Sequence, residues 1–443
     1  MSKVDAERGL LVLMGSGETS PTMVTLHREL VAHLPPEPGA VILEAPYGFQ
    51  VNRDDISSRA RDYFRRSVGL TAVVAPDADA GAQAGSDADG VRDQVRRAAW
   101  VFSGPGSPSY ALRRWRAQGL GEILRERVRR GHGVTVMASA AACTVGFAAL
   151  PVYEVYKAGH PAVWLEGLDL LGALGVPVAV IPHYDNAEGG THDTRFCYLG
   201  ESRLAALEQD LPEDSAVLGI DEHTAVIIDL EASLARVWGR GAMTVRRRGA
   251  NCLVPAGSVL PLEQLRDLVV GKTVGQVPAP RATLAGRGTD ASAARGPATL
   301  QEAVTASESR FDAARAAQDA EGMVEAILEL EAVIAAWSAD MEEDQGGEWA
   351  RTVLRGMIRQ LTQPAQQGML EPEHTLGRIL DPLLSMRRHL RSEGAYELAD
   401  QLREILAAGG VEIRDTAEAS LWQLLQGDAA VPPGSGRPVP PRE

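Results

Sequence analysis

From Leu10 to about Leu268, short apolar runs alternate with stretches whose apolar residues recur every three or four positions. The runs predict strands at Leu10–Met14, Ala40–Glu44, Leu70–Val74, Trp100–Phe102, Val134–Met137, Val178–Ile181, Ser215–Gly219 and Thr224–Ile228. Between them, Thr22–Leu34, Ser57–Ser67, Val91–Ala98 and Leu120–Arg130 carry helical spacing. That alternation predicts an α/β domain, a parallel sheet covered on both faces. Ligands of such sheets sit beyond the carboxyl ends of the strands, where Ser16, Gly106, Ser139 and His183 fall.

The pattern then changes. Residues 272 to 299, with Pro278-Ala279-Pro280 and Gly286-Arg287-Gly288, hold few large apolar residues and read as an extended linker. Beyond it Phe311–Asp319, Gly322–Trp337, Glu348–Thr362 and Glu373–Leu390 have apolar residues at helical spacing, predicting a small all-α domain. The Pro-rich end from Gly427 to Glu443 reads as a disordered tail. The expected division is 1–271 α/β, 272–299 linker, 300–426 helical, 427–443 tail.

Composition sharpens this in two places. A chain of 443 residues suits two domains. Of the net charge of −15, residues 301 to 443 carry −12, from 25 acidic residues against 13 arginines and no lysine. Such an acidic segment repels a phosphate backbone unless its arginines share one face, as Arg387, Arg388, Arg391 and Arg403 would have to. Cys143, Cys197 and Cys252 form no CxxC pair, which suits a reducing compartment. The opening Met1–Arg8 is of mixed charge, unlike a secretory signal, and no apolar run is long enough to span a bilayer. A cytoplasmic protein with no membrane partner is expected.

Three apolar runs end in polar residues of complementary chemistry. Val134-Thr135-Val136-Met137-Ala138-Ser139 delivers a serine, Val180-Ile181-Pro182-His183 a histidine, and Leu218-Gly219-Ile220-Asp221-Glu222 a glutamate. A neutral hydroxyl needs a base to become a nucleophile, and the base needs a carboxylate to orient it. Ser139, His183 and Glu222 are therefore the candidate nucleophile, base and acid, with Glu154 as alternative acid and Asp221 as a weaker rival. The amide of Ala140, next after the serine, and the Gly104-Pro105-Gly106-Ser107 loop, Gly106 above all, are candidate oxyanion donors. Asn186 and Arg195 follow the histidine on a loop facing the cleft and are candidate substrate contacts. No His, Cys or carboxylate spacing suggests a metal, and no organic cofactor is implied.

With Leu11–Glu18 and Trp100–Pro108, these fragments resemble the cyanophycinase and aspartyl dipeptidase group of serine peptidases. The resemblance covers roughly the first 270 residues. It implies a flavodoxin-like, class I glutamine amidotransferase-like fold and cleavage of an amide bond in a small peptide or amino-acid conjugate. The group's elbow reads Gly-x-Ser-Ala-Gly-Ala, whereas here Met137-Ala138-Ser139-Ala140-Ala141-Ala142 lacks both glycines.

A second resemblance spans about 40 residues. Ala399-Asp400-Gln401-Leu402-Arg403, then Gly410-Val411-Glu412-Ile413-Arg414-Asp415-Thr416 and Trp422, is similar to the C-terminal region of cysteinyl-tRNA synthetases. It implies a tRNA contact as a second partner. Two functional classes follow: a Ser-His-Glu hydrolase, or a catalytically degenerate hydrolase fold serving as a binding or regulatory protein with a tRNA- or protein-binding helical module. A homo-oligomer is compatible with either.

Overall fold

A computed structural model describes residues 9–75, 77, 84–187, 192–272, 299–337, 346–361, 372–415 and 420–424. The chain divides into two compact units, Met1–Phe311 with Val324–Met357, and Asp312–Met323 with Ile358–Glu443. All but the end residues of the expected linker, and the whole expected tail, lie outside the described residues.

The first unit holds β1 (Leu10–Met14), β2 (Ala40–Leu43), β3 (Val73–Ala75), β4 (Trp100–Ser103), β5 (Val134–Ala138), β6 (Ala148–Ala149), β7 (Leu165–Glu166), β8 (Val178–Ile181), β9 (Ala216–Ile220), β10 (Thr224–Asp229), β11 (Leu234–Gly239), β12 (Ala242–Arg247), β13 (Ala250–Pro255) and β14 (Val259–Pro261). They form two sheets, ordered β14-β11-β10-β1-β5-β4-β2-β3 and β13-β12-β9-β8-β6-β7. In the first, β3, β2, β4, β5 and β1 are parallel. In the second, only β6, β8 and β9 are.

The fold is mixed α/β, but the expectation of one parallel sheet is corrected. Links of two to four residues join β10 to β11, β11 to β12, β12 to β13 and β13 to β14. A parallel crossover needs a dozen residues or more, so strands joined this tightly pair antiparallel or pass to the other sheet.

Helices α1 (Val24–Val31), α2 (Arg53–Tyr63), α3 (Ala84–Arg97), α4 (Pro108–Gln118), α5 (Leu120–Arg130), α6 (Ala140–Cys143), α7 (Val152–Tyr156), α8 (Gly200–Leu207) and α9 (Leu262–Val270) complete this part of the unit. Of three buried clusters among the described residues, strand alternation sets β1 between two. Leu11 and Leu13 of β1 face one with Val101, Trp115 and Met137, while Leu10, Val12 and Met14 face the other with Trp100, Phe102 and Val136. Burial of each such side chain contributes about 1.5–3 kcal/mol, and every residue of β1 and β5 is buried.

Further helices are Leu300–Ala316, Ala320–Trp337, Gly346–Gln360, Pro372–Ser392 and Tyr396–Ala408. Among the described residues, the expected all-α character fails where β15 (Val411–Asp415) and β16 (Ser420–Leu424) pair antiparallel. Val411 and Ile413 are buried while Arg414 is exposed, the period-two alternation of a strand. Fully buried Arg387 holds this hairpin, its Nη1 donating to both Asp415 carboxylate oxygens at 2.9 and 3.0 Å and its Nε to the Ala399 carbonyl.

Candidate active site

Register places the key turns side by side. Met14 of β1 pairs with Ala138 of β5, so the chain leaving β5 at Ser139 does so next to the end of β1, and the Ser139 amide donates to the Met14 carbonyl at 3.1 Å. Ser139 takes φ 46°, ψ −120°, a backbone conformation costing on the order of 1–3 kcal/mol. None of Ala138, Ala140, Ala141 or Ala142 has a positive φ. The elbow is thus built without glycine, because the left-handed turn falls on the serine alone.

His183 follows β8 by two residues, also with positive φ (47°), and its amide donates to the Gly15 carbonyl at 3.3 Å. Glu222 lies in the tight turn from β9 to β10, with its amide held by Asp185 Oδ1 at 2.8 Å. These turns bring three side chains into line. Ser139 Oγ stands 3.0 Å from His183 Nε2, and His183 Nδ1 stands 3.0 Å from Glu222 Oε1. With a carboxylate at Nδ1, that nitrogen carries the proton and Nε2 is left to accept from the serine hydroxyl. Ser139 follows a strand of the first sheet and His183 a strand of the second, while Glu222 sits in the turn that passes from the second sheet to the first.

Electrostatics fit the order. Burial pushes the Glu222 carboxyl up, yet hydrogen bonds from His183 and Asn186 and the nearby imidazoles outweigh it and hold the group below the usual Glu range. Burial, then the charge of Asp185, raises Asp221 to about 6. Asp221 Oδ2 accepts the Ala242 amide at 2.7 Å.

Glu154, on α7, accepts from Ser109 Oγ, and the carboxylate on His183 Nδ1 is Glu222. Asn186 is buried, its Nδ2 donating to Glu222 Oε1 at 3.1 Å. Arg195 grips Asp193 through Nε at 2.9 Å and Nη2 at 2.8 Å, and its guanidinium lies over the Phe196 ring. Ala140 opens α6, where a first-turn amide has no carbonyl partner within its own helix. Gly106 lies in the loop after β4, and the Gly104 carbonyl of that loop accepts the Ala141 amide at 3.2 Å.

One support gives no sequence signal. Phe196, Cys197 and Tyr198 all have positive φ (62°, 55° and 66°), and the Cys197 amide donates to the His183 carbonyl at 3.1 Å. Left-handed residues are ordinarily Gly or Asn, and none of these is. Among the described residues, no group of three or more His, Cys, Asp or Glu side chains is arranged to hold a metal. Nor is any helix there long and apolar enough to cross a membrane.

No family model matches the chain. Among solved structures it is similar to a peptidase from an acI-B1 Actinobacterium, at 21% identity and TM-score 0.45, over 57% of this chain and 97% of that one. It is also similar to a peptidase E candidate from Listeria monocytogenes EGD-e, at 15% identity and TM-score 0.34, over 50% and 94%. Curated relatives match short segments: a cysteine–tRNA ligase of Metallosphaera sedula is 39% identical over 49 residues, and one of Lawsonia intracellularis 46% identical over 46. The chain spans about a tenth of the length of each of these two ligases.

Proposed function

We propose that the chain is a serine hydrolase cleaving an amide or peptide bond in a small peptide or amino-acid conjugate, with Ser139 as nucleophile, His183 as base and Glu222 as orienting acid. The hydrogen-bonded line from Ser139 Oγ through both ring nitrogens of His183 to Glu222, with 3.0 Å at each step, is the observation that supports this most. In the acylation step, Ser139 Oγ attacks the carbonyl carbon as its proton passes to His183 Nε2. The tetrahedral oxyanion takes hydrogen bonds from the amides of Ala140 and Gly106. The C–N bond then breaks as His183 returns the proton to the leaving amine, and water releases the acyl group by the same route reversed. No cofactor enters these steps.

The left-handed serine favours this over the degenerate-fold reading, since a backbone strained at one side chain is a device for presenting that side chain. A fluorophosphonate probe tests it. Ser139 Oγ would displace fluoride from phosphorus, with the hydroxyl proton going to His183. The wild-type chain should label at Ser139 and Ser139→Ala should not. A folded wild type that stays unlabelled would sink the hydrolase reading.

A further inference from the structure

The loop bearing Gly106 is tethered on several sides. Ser103 of β4 pairs with Met137 of β5 and with Leu43 of β2, so residues 104–106 run between the turn that carries Ser139 and the turn after β2. Gly106 has φ 133°, and a Cβ there would stand 2.1 Å from the Pro46 carbonyl oxygen. Ser107 donates its amide to that same carbonyl at 2.8 Å. The Ser107 hydroxyl accepts from the Tyr110 amide at 3.2 Å, capping α4, and lies 3.0 Å from Ser109 Oγ. Ser109 in turn donates to Glu154 Oε1.

A serine hydroxyl has a single proton, and an ionised carboxylate only accepts. The Ser109 proton therefore belongs to Glu154, so Ser107 must donate to Ser109 and accept from Tyr110. Direction is fixed along the whole chain: Tyr110 N–H, Ser107, Ser109, Glu154. Without the terminal acceptor the direction is no longer fixed: Ser109 can turn to donate to Ser107, and Ser107 then has no acceptor for its own proton. The segment following Gly106 is then held only by the Tyr110 and Pro46 bonds.

We propose that Glu154 is a positioning residue for the oxyanion loop, acting through Ser109 and Ser107 on the backbone at Gly106; this rests on the hydrolase reading above. Such a brace needs an acceptor at position 154 and no charge. An acid serving His183 would need the charge, so the two roles separate chemically.

The measurement is the labelling rate of the full chain by a fluorophosphonate, whose phosphonyl oxygen occupies the oxyanion position. Glu154→Ala and Ser109→Ala should each lower the maximal rate about tenfold or more, while the half-saturating probe concentration moves less than about twofold. Glu154→Gln, which keeps an acceptor, should recover most of the lost rate. Wild-type labelling at Ser139, with both alanine variants equally fast, would overturn the brace and leave the hydrolase reading standing. Glu154→Gln as slow as Glu154→Ala would overturn it as well, because charge would then be what matters. An unlabelled Ser139 in the wild type ends both proposals. Should Glu154→Ala fail to fold, Ser109→Ala, which keeps the carboxylate, decides alone.

Discussion

Glu222 accepts from two donors at the same oxygen, His183 Nδ1 at 3.0 Å and Asn186 Nδ2 at 3.1 Å. Both partners hold Oε1 as an acceptor, so a glutamine here would keep its carbonyl in place and lose only the charge that stabilises an imidazolium. Glu222→Gln should therefore fold normally and label with fluorophosphonate about 10²–10⁴-fold more slowly than wild type. A variant labelling at the wild-type rate would remove Glu222 from the proposed mechanism. At this scale Ser139, His183 and Glu222 were legible because each closes an apolar run. Asn186 and Arg195 were legible as polar residues near the base, yet not in their pairings. Where a side chain points after a strand end depends on the loop's backbone angles, and here those include left-handed Phe196, Cys197 and Tyr198.

Elements set the conditions under which the residues can work. Helix α1 carries His27, fully buried among Tyr63, Phe64 and Phe102. Its Nε2–H donates to the Glu18 carbonyl at 2.7 Å. Burial lowers its pKa to about 4, the hydrogen bond opposing only in part. In the unfolded chain an ordinary His protonates near 6.5, so between there and about 4 the unfolded state binds the extra proton and the folded state does not. Stability contributed by the neutral ring is thus full above pH 6.5 and falls as pH drops toward 4, by on the order of 3 kcal/mol. Urea unfolding at pH 7 and pH 4.5 should show this loss in wild type and a smaller one in His27→Gln. Equal losses would mean that the ring titrates normally in the fold. Most strands of the parallel core were legible as continuous apolar runs. The antiparallel run from β10 to β14 was legible only as far as β10, because Arg236, Arg246 and Arg247 interrupt its apolar pattern. Buried Arg246 is tolerated in β12 because Glu201 and Glu208 neutralise it at 2.5–3.0 Å.

Across the whole molecule, charge and burial bear on the second expected partner. Arg387 would have anchored a phosphate-binding cluster in the acidic C-terminal third, yet it is fully buried and bonded to Asp415. Arg403 reaches inward to the Ile413 carbonyl at 3.5 Å. Of the four, that leaves Arg388 and an Arg391 that lies 3.9 Å from Asp400, against a net charge of −15, too little to release the counterions on which general RNA affinity depends. Titration of the full chain against total tRNA should show no salt-sensitive binding at physiological ionic strength. Binding that weakens steeply with added salt would reverse the order of the two functional classes.

Ser139 follows a strand of one sheet, His183 a strand of the other, and Glu222 lies in the turn between the two. Labelling at Ser139 would therefore double as a gauge of how firmly two separately hydrogen-bonded layers stay in register. Beside the site the sheets meet through the His183 amide to the Gly15 carbonyl at 3.3 Å, in addition to the apolar core that both share. A small slip there separates Ser139 from His183 while every strand ladder remains intact. Increasing urea should accordingly abolish labelling at Ser139 before the far-ultraviolet signal of the strands and helices declines. Coincident loss of the two would mean that the layers part only when the whole unit unfolds.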